Sequence, residues 1–102
     1  MEEKLLQIIN HYGVMPQLKY FQSEVFELNE AIINFERDTR FVPKEDKPCT
    51  SQEHIAEEIA DVMVMLEQFK LYYGITSEEI TKIFWNKVDR QLERIENELN
   101  KE

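Results

Sequence analysis

Between Pro16 and about Thr39 the apolar residues Leu18, Phe21, Val25, Leu28, Ile32 and Phe35 recur at alternating steps of three and four. This spacing constrains the chain more than any other feature. It gathers all six on one side of an α-helix, whereas a strand would scatter them over both faces. A second series, Ile55, Ile59, Val62, Leu66, Phe69 and Tyr73, has the same period. So has a third, built from Ile80, Ile83 or Phe84, Val88, Leu92, Ile95 and Leu99. A shorter apolar side, Leu5, Leu6, Ile8 and Ile9, marks a helix from about Glu3 to Tyr12. The expected fold is all-α, a four-helix bundle-like protomer forming one domain over residues 1–102. A core of this size is thin, so completion by assembly into a dimer or tetramer is expected.

The punctuation agrees with four helices. Gly13 stops the first, and Pro16 fits the first turn of the second, where its missing N–H costs nothing. From Thr39 to Thr50 two prolines and alternating charges predict a loop of about a dozen residues, long for a compact bundle. Thr50-Ser51-Gln52-Glu53 has the form of a capping box opening the third helix, which Gly74 ends. A second capping box, Thr76-Ser77-Glu78-Glu79, opens the fourth.

Composition excludes several function classes. With 2 Gly and 3 Pro, a glycine-cradled phosphate site and a turn-rich β domain are not expected. The balance of 12 Lys+Arg against 21 Asp+Glu, a formal net charge of -9, opposes binding to DNA, RNA or an anionic bilayer. A phosphorylated small molecule is compatible with it if a divalent cation stands between carboxylates and phosphates. The single cysteine, Cys49, excludes an intrachain disulfide framework and a Cys-rich zinc site. It lacks a partner base, so a nucleophilic role is not expected. No apolar run approaches the roughly 20 residues of a membrane span. The opening MEEKLLQIIN lacks a small-residue cleavage site, and a cytoplasmic location is expected.

The chemistry is concentrated in two acidic pairs. Glu24 and Glu27 stand three apart beside the stripe of the second helix, and Glu58 and Asp61 do the same on the third. Residues at this spacing share a helix face. If the two stripes pack together, four carboxylates converge at the edge of the groove. Their mutual repulsion and partial desolvation are relieved by a bound hard cation. Carboxylates without histidine or thiolate suit Mg²⁺, with Mn²⁺ possible, better than zinc. In a chain this acidic, the same spacing also fits a solvated acidic face. Small Ala56 and Ala60 allow close helix approach.

Ser23-Glu24-Val25-Phe26-Glu27-Leu28, followed across the loop by Glu57-Glu58-Ile59-Ala60-Asp61-Val62, resembles the MazG-like all-α nucleoside triphosphate pyrophosphohydrolases, short phage-type members in particular. The family pattern is EExxE and then ExxD on two helices, and the likeness covers about residues 15 to 95. It implies that Glu24, Glu27, Glu58 and Asp61 hold Mg²⁺. It also implies cleavage of a nucleotide between its α and β phosphates, and homo-oligomers with sites near subunit contacts. This chain departs from the pattern at Ser23, where the family has its first Glu, so a carboxylate able to orient water is replaced. Glu30, one turn beyond Glu27, is placed to compensate.

Further candidates lie on the fourth helix. Lys87, Arg90 and Arg94 could reach phosphate oxygens, or pair with Glu93, Glu96 and Glu98 along the same helix. Trp85 could stack on a base or pack in a core or interface, and Asn86 could bond phosphate or sugar. His54 reads as a surface residue of a first turn, and His11 as favouring a helix C-terminus. Tyr20, Phe26, Tyr72 and Tyr73 are expected to face away from the stripes, toward a neighbouring subunit. The expected activity is Mg²⁺-dependent hydrolysis of a nucleoside triphosphate to the monophosphate and pyrophosphate. One of the four carboxylates, or Glu57 through a second water, accepts the proton, and Lys87 and Arg90 stabilise the leaving pyrophosphate. The alternative is a non-catalytic helical oligomer that binds a protein partner. A di-iron bundle is disfavoured, because neither His11 nor His54 follows a Glu by three positions.

Overall fold

In a computed structural model the chain forms α1 (Glu2–Tyr12), α2 (Val14–Arg40), α3 (Gln52–Tyr72) and α4 (Ser77–Asn100). The structure describes residues 2–40 and 52–101, with side chains over 2–37 and 52–101. Among the described residues there is no strand, as the helical period requires. The expected loop falls largely outside this range, as do Cys49 and the Thr50 capping box. α2 continues to Arg40, a residue beyond the predicted fraying point.

Gly13 alone separates α1 from α2. It holds φ +92°, a left-handed conformation that side chains disfavour. Its N–H donates to the Ile9 carbonyl at 2.8 Å, and its carbonyl accepts from the Gln17 N–H at 3.2 Å. One residue thus caps the first helix and begins the next, with Pro16 in the opening turn of α2.

α1, α2 and α3 pack on one another within one compact unit, Met1–Tyr72. α2 and α3 run antiparallel: Gln17 meets Gln68, Phe21 meets Phe69 edge-on at 5.5 Å, and Glu24 and Glu27 meet Glu58. The seam differs from the predicted stripe. On α2 it follows Gln17, Phe21, Glu24, Leu28, Ala31 and Phe35, all buried or partly so, while Leu18, Val25 and Ile32 stay about 40% exposed. On α3 it follows Ile55, Glu58, Val62, Met65 and Phe69, leaving Ile59, Leu66 and Tyr73 exposed. The reason is geometric. Each helix carries more apolar surface than one roughly 100° face can bury, and only one of two apolar columns fits the seam. Centring it on Ala31 permits close approach and draws polar side chains inward. The buried residues among those described are Ile9, Ala31 and Met65 together with Gln17, Glu24 and Gln68. Buried polar groups in that proportion mark the seam as more than a core.

Residues Tyr73–Glu102 form the second compact unit, made almost entirely of α4. Its start is well defined: Thr76 accepts from the Glu79 N–H at 3.1 Å through its side chain, one half of the expected capping box. Thr76→Ala is expected to cost about 1 kcal/mol of helix stability. Faster amide exchange at Glu79 and the neighbouring first-turn amides would report it. The predicted α4 stripe is exposed at Ile80, Ile83, Phe84, Leu92, Ile95 and Leu99, with only Val88 partly covered. The expected all-α fold with four helices is found, α1, α2 and α3 in the first unit and α4 in the second.

Candidate metal centre

The two acidic pairs come together because their helices are antiparallel neighbours and each pair sits on or beside the seam. Glu24, Glu27 and Glu58 each offer a carboxylate oxygen, and the three oxygens lie within 4.8 Å of one another. Glu24 is 5% exposed and the Glu58 side chain 12%, while Glu27 is exposed, so the cluster runs from the buried seam to its solvent-facing edge. Glu24 Oε2 and Glu58 Oε2 are shut off from solvent with no hydrogen-bond partner. Burying a carboxylate oxygen without a donor is costly, and like charges nearby add to the cost.

That strain is visible in the acidity of Glu58. Desolvation raises its pKa above the ordinary carboxylate value, the charges of Glu27 and Asp61 raise it further, His54 opposes them, and Glu24 adds a smaller increment. The Tyr20 phenol is also held above its usual range, first because it hydrogen-bonds the Glu24 carboxylate, then by the charge of that carboxylate. Tyr20 is 56% exposed, as expected of a residue off the stripe, and its phenol also senses the Glu24 carboxylate.

Asp61, the fourth predicted ligand, is not among the three converging carboxylates. It is exposed and shares with Glu24 the wall of a cavity of about 540 Å³. Glu57, the predicted proton acceptor, is 70% exposed, with its carboxylate 3.9 Å from His54 Nδ1. Ser23 lies with Glu27 and Glu30 on an open surface depression. Glu30 also lines a smaller cavity of about 240 Å³ with Glu27, Glu58 and His54, and it is not among the three converging carboxylates. Trp85, Asn86, Lys87, Arg90 and Arg94 are all exposed on α4, in the other unit. There Trp85 contacts Phe84 edge-on at 5.2 Å.

His54 is a half-exposed residue of the first turn of α3, as expected, and its Nε2 lies 3.8 Å from Glu58. Sequence reasoning passed over two groups. Gln17 and Gln68 bond to each other at 2.8 Å in the interior, and nothing in their spacing separates them from surface glutamines.

An all-oxygen anionic donor set from two helices fits a hard divalent cation such as Mg²⁺ or Mn²⁺, which keeps water or phosphate oxygens in its remaining positions. Comparison with protein-family models, curated proteins and solved structures finds no match for this chain. Among the described residues no helix is long and apolar enough to cross a membrane.

Proposed function

We propose that this chain is a Mg²⁺-dependent nucleoside triphosphate pyrophosphohydrolase. The observation that carries the reading is the convergence of Glu24, Glu27 and Glu58, whose carboxylates offer oxygens within 4.8 Å of one another, two of these residues also holding a buried oxygen without a hydrogen-bond partner. The likeness of the two acidic motifs to the MazG-like enzymes supplies the reaction class. A divalent cation held there would neutralise triphosphate charge and lower the pKa of a bound water. Glu24 and Glu27 would hold it from α2 and Glu58 from α3, with Asp61 flanking them. In the reaction a water oxygen bonds to the α phosphorus, the bond to the α–β bridging oxygen breaks, and pyrophosphate leaves. The water's proton passes to a carboxylate of the cluster, or through a second water to Glu57. Lys87 and Arg90, with Arg94, Trp85 and Asn86, remain the candidates for substrate contact on α4. The metal site itself does not depend on them.

The formal charge of -9 supports a small phosphorylated substrate over nucleic acid. Apolar columns left exposed on α2 and α3 support assembly into a homo-oligomer. The same columns favour the second reading, a non-catalytic helical oligomer in which the cluster no longer turns over substrate. Incubation with Mg²⁺ and a panel of ribo- and deoxynucleoside triphosphates separates the two. Pyrophosphate and monophosphate are the expected products. A folded protein that releases neither from any nucleotide is not this enzyme.

A further inference from the structure

The bond between Gln17 and Gln68 is buried chemistry that the proposed reaction leaves unused. Gln17 is 7% exposed and Gln68 1%, and Gln17 Nε2 donates to Gln68 Oε1 at 2.8 Å. On its other side the Gln68 carboxamide is held by the contact from Nε2 to the Met65 thioether at 3.8 Å. Glu24 follows Gln17 by seven residues on α2, and Asp61 precedes Gln68 by seven on α3. All four line one cavity wall. Three residues further along each helix come Glu27 and Glu58, two of the three converging carboxylates. In an antiparallel pair, equal steps from a shared contact reach facing positions. The amide bond and the carboxylates therefore belong to one alignment, about 15 Å apart along the helices.

The apolar contacts of the seam do not choose that alignment. Phe21, Leu28, Val62 and Phe69 bury surface by a non-directional effect that other offsets also satisfy. The carboxylates act against it. Glu24, Glu27 and Glu58 bring like charges within 4.8 Å of one another, and without a cation they favour any offset that parts them. A slip of one helical turn, about 5.4 Å, would do so. It would also break the amide bond and leave two buried carboxamides unpaired, a cost that apolar pairs do not impose. Fixing register at some expense of stability is the best-attested use of a buried polar pair between helices. We propose that the Gln17–Gln68 bond is a register pin: the two glutamines are positioning residues that keep Glu27 opposite Glu58, so that the three carboxylates stand ready for a cation. The link to the cation rests on the pyrophosphohydrolase reading, whereas the fixing of register does not.

Gln17→Met/Gln68→Met keeps the length of both side chains and removes both partners of the bond together, which is far milder than orphaning one. The metal-free thermal midpoint of this variant is expected to hold or rise. Its register is expected to loosen. In NMR spectra the NOEs between the Phe21 and Phe69 rings, 5.5 Å apart in the native seam, weaken, and a second set appears one turn out of step. Its Mg²⁺ affinity, followed at the backbone amides of Glu24, Glu27 and Glu58, is expected to fall about tenfold or more. Ile9→Ala controls for a merely structural role, because it destabilises the same unit with the pair intact. It is expected to keep the native NOEs and a Mg²⁺ affinity within about twofold of wild type. Native NOEs in the methionine pair, or Mg²⁺ affinity unchanged from a responding wild type, overturns the pin. So does a methionine pair that no longer folds, since the bond would then hold the fold and not its register, or an equal loss of affinity in Ile9→Ala. A wild type without any Mg²⁺ response, whose methionine pair nonetheless slips, overturns only the metal-site reading.

Discussion

Glu58→Gln is expected to raise the thermal midpoint of the metal-free protein at neutral pH and to abolish its further rise on adding Mg²⁺. The first half follows from linkage. The folded-state pKa of Glu58 is raised, chiefly by desolvation and then by Glu27 and Asp61. A raised carboxylate favours the folded state fully below its unfolded pKa, and that contribution is lost as pH rises through the folded value. Metal-free wild type should therefore weaken as pH climbs from the ordinary carboxylate range toward neutrality, and the glutamine variant should weaken less. The second half follows from mass action. A ligand at a hundredfold its Kd stabilises by about 2.7 kcal/mol, equivalent to roughly 10–20 °C for a domain this small. Neutral glutamine keeps the shape and removes the charge, so that increment should vanish together with pyrophosphate release. Thermal scans with and without Mg²⁺ at acidic and neutral pH measure all of this. An unchanged Mg²⁺ shift in the variant would remove Glu58 from the site.

The cluster was legible in advance because two short-range facts determine it. Residues three apart share a helix face, and α2 and α3 are long enough to lie alongside each other. Gly13, Gly74 and Thr76 were readable as boundaries for similarly local reasons, and Gly74 does hold φ +69° just beyond α3. What could not be read was which of two apolar columns each helix turns inward. Leu18, Val25 and Ile32 are as apolar as Phe21, Leu28 and Phe35, so hydrophobicity alone does not choose between them. The choice is made by fit across the seam, where small Ala31 admits the facing helix. Turning the seam by that amount carries Glu24 from the groove edge to the interior, and Gln17 with it. It also leads Gln68 on α3 to a partner 51 positions away, which no single-helix pattern encodes. Tyr20 was assigned to the outer surface by the same one-column logic, and its bond to Glu24 depends on where Glu24 finally points.

Ile9→Ala tests whether α1 is a structural clamp distinct from the carboxylate chemistry. Ile9 is fully buried, on the helix that packs against both α2 and α3. Truncating a buried isoleucine to alanine costs about 2–5 kcal/mol through lost transfer energy and the cavity left behind. Set against a typical total of about 5–15 kcal/mol, that is a severe loss, and it is expected as a large fall in denaturant midpoint with weakened amide protection along α1. The proposed Mg²⁺-induced increment should survive, because the three converging carboxylates lie on α2 and α3 and distant effects add within a few tenths of a kcal/mol. Measured on one variant, the two quantities separate the roles of the helices: the carboxylates proposed to hold the cation lie on α2 and α3, and α1 packs against both. If the Mg²⁺ increment disappeared while the protein stayed folded, the carboxylates would depend on α1 for their alignment.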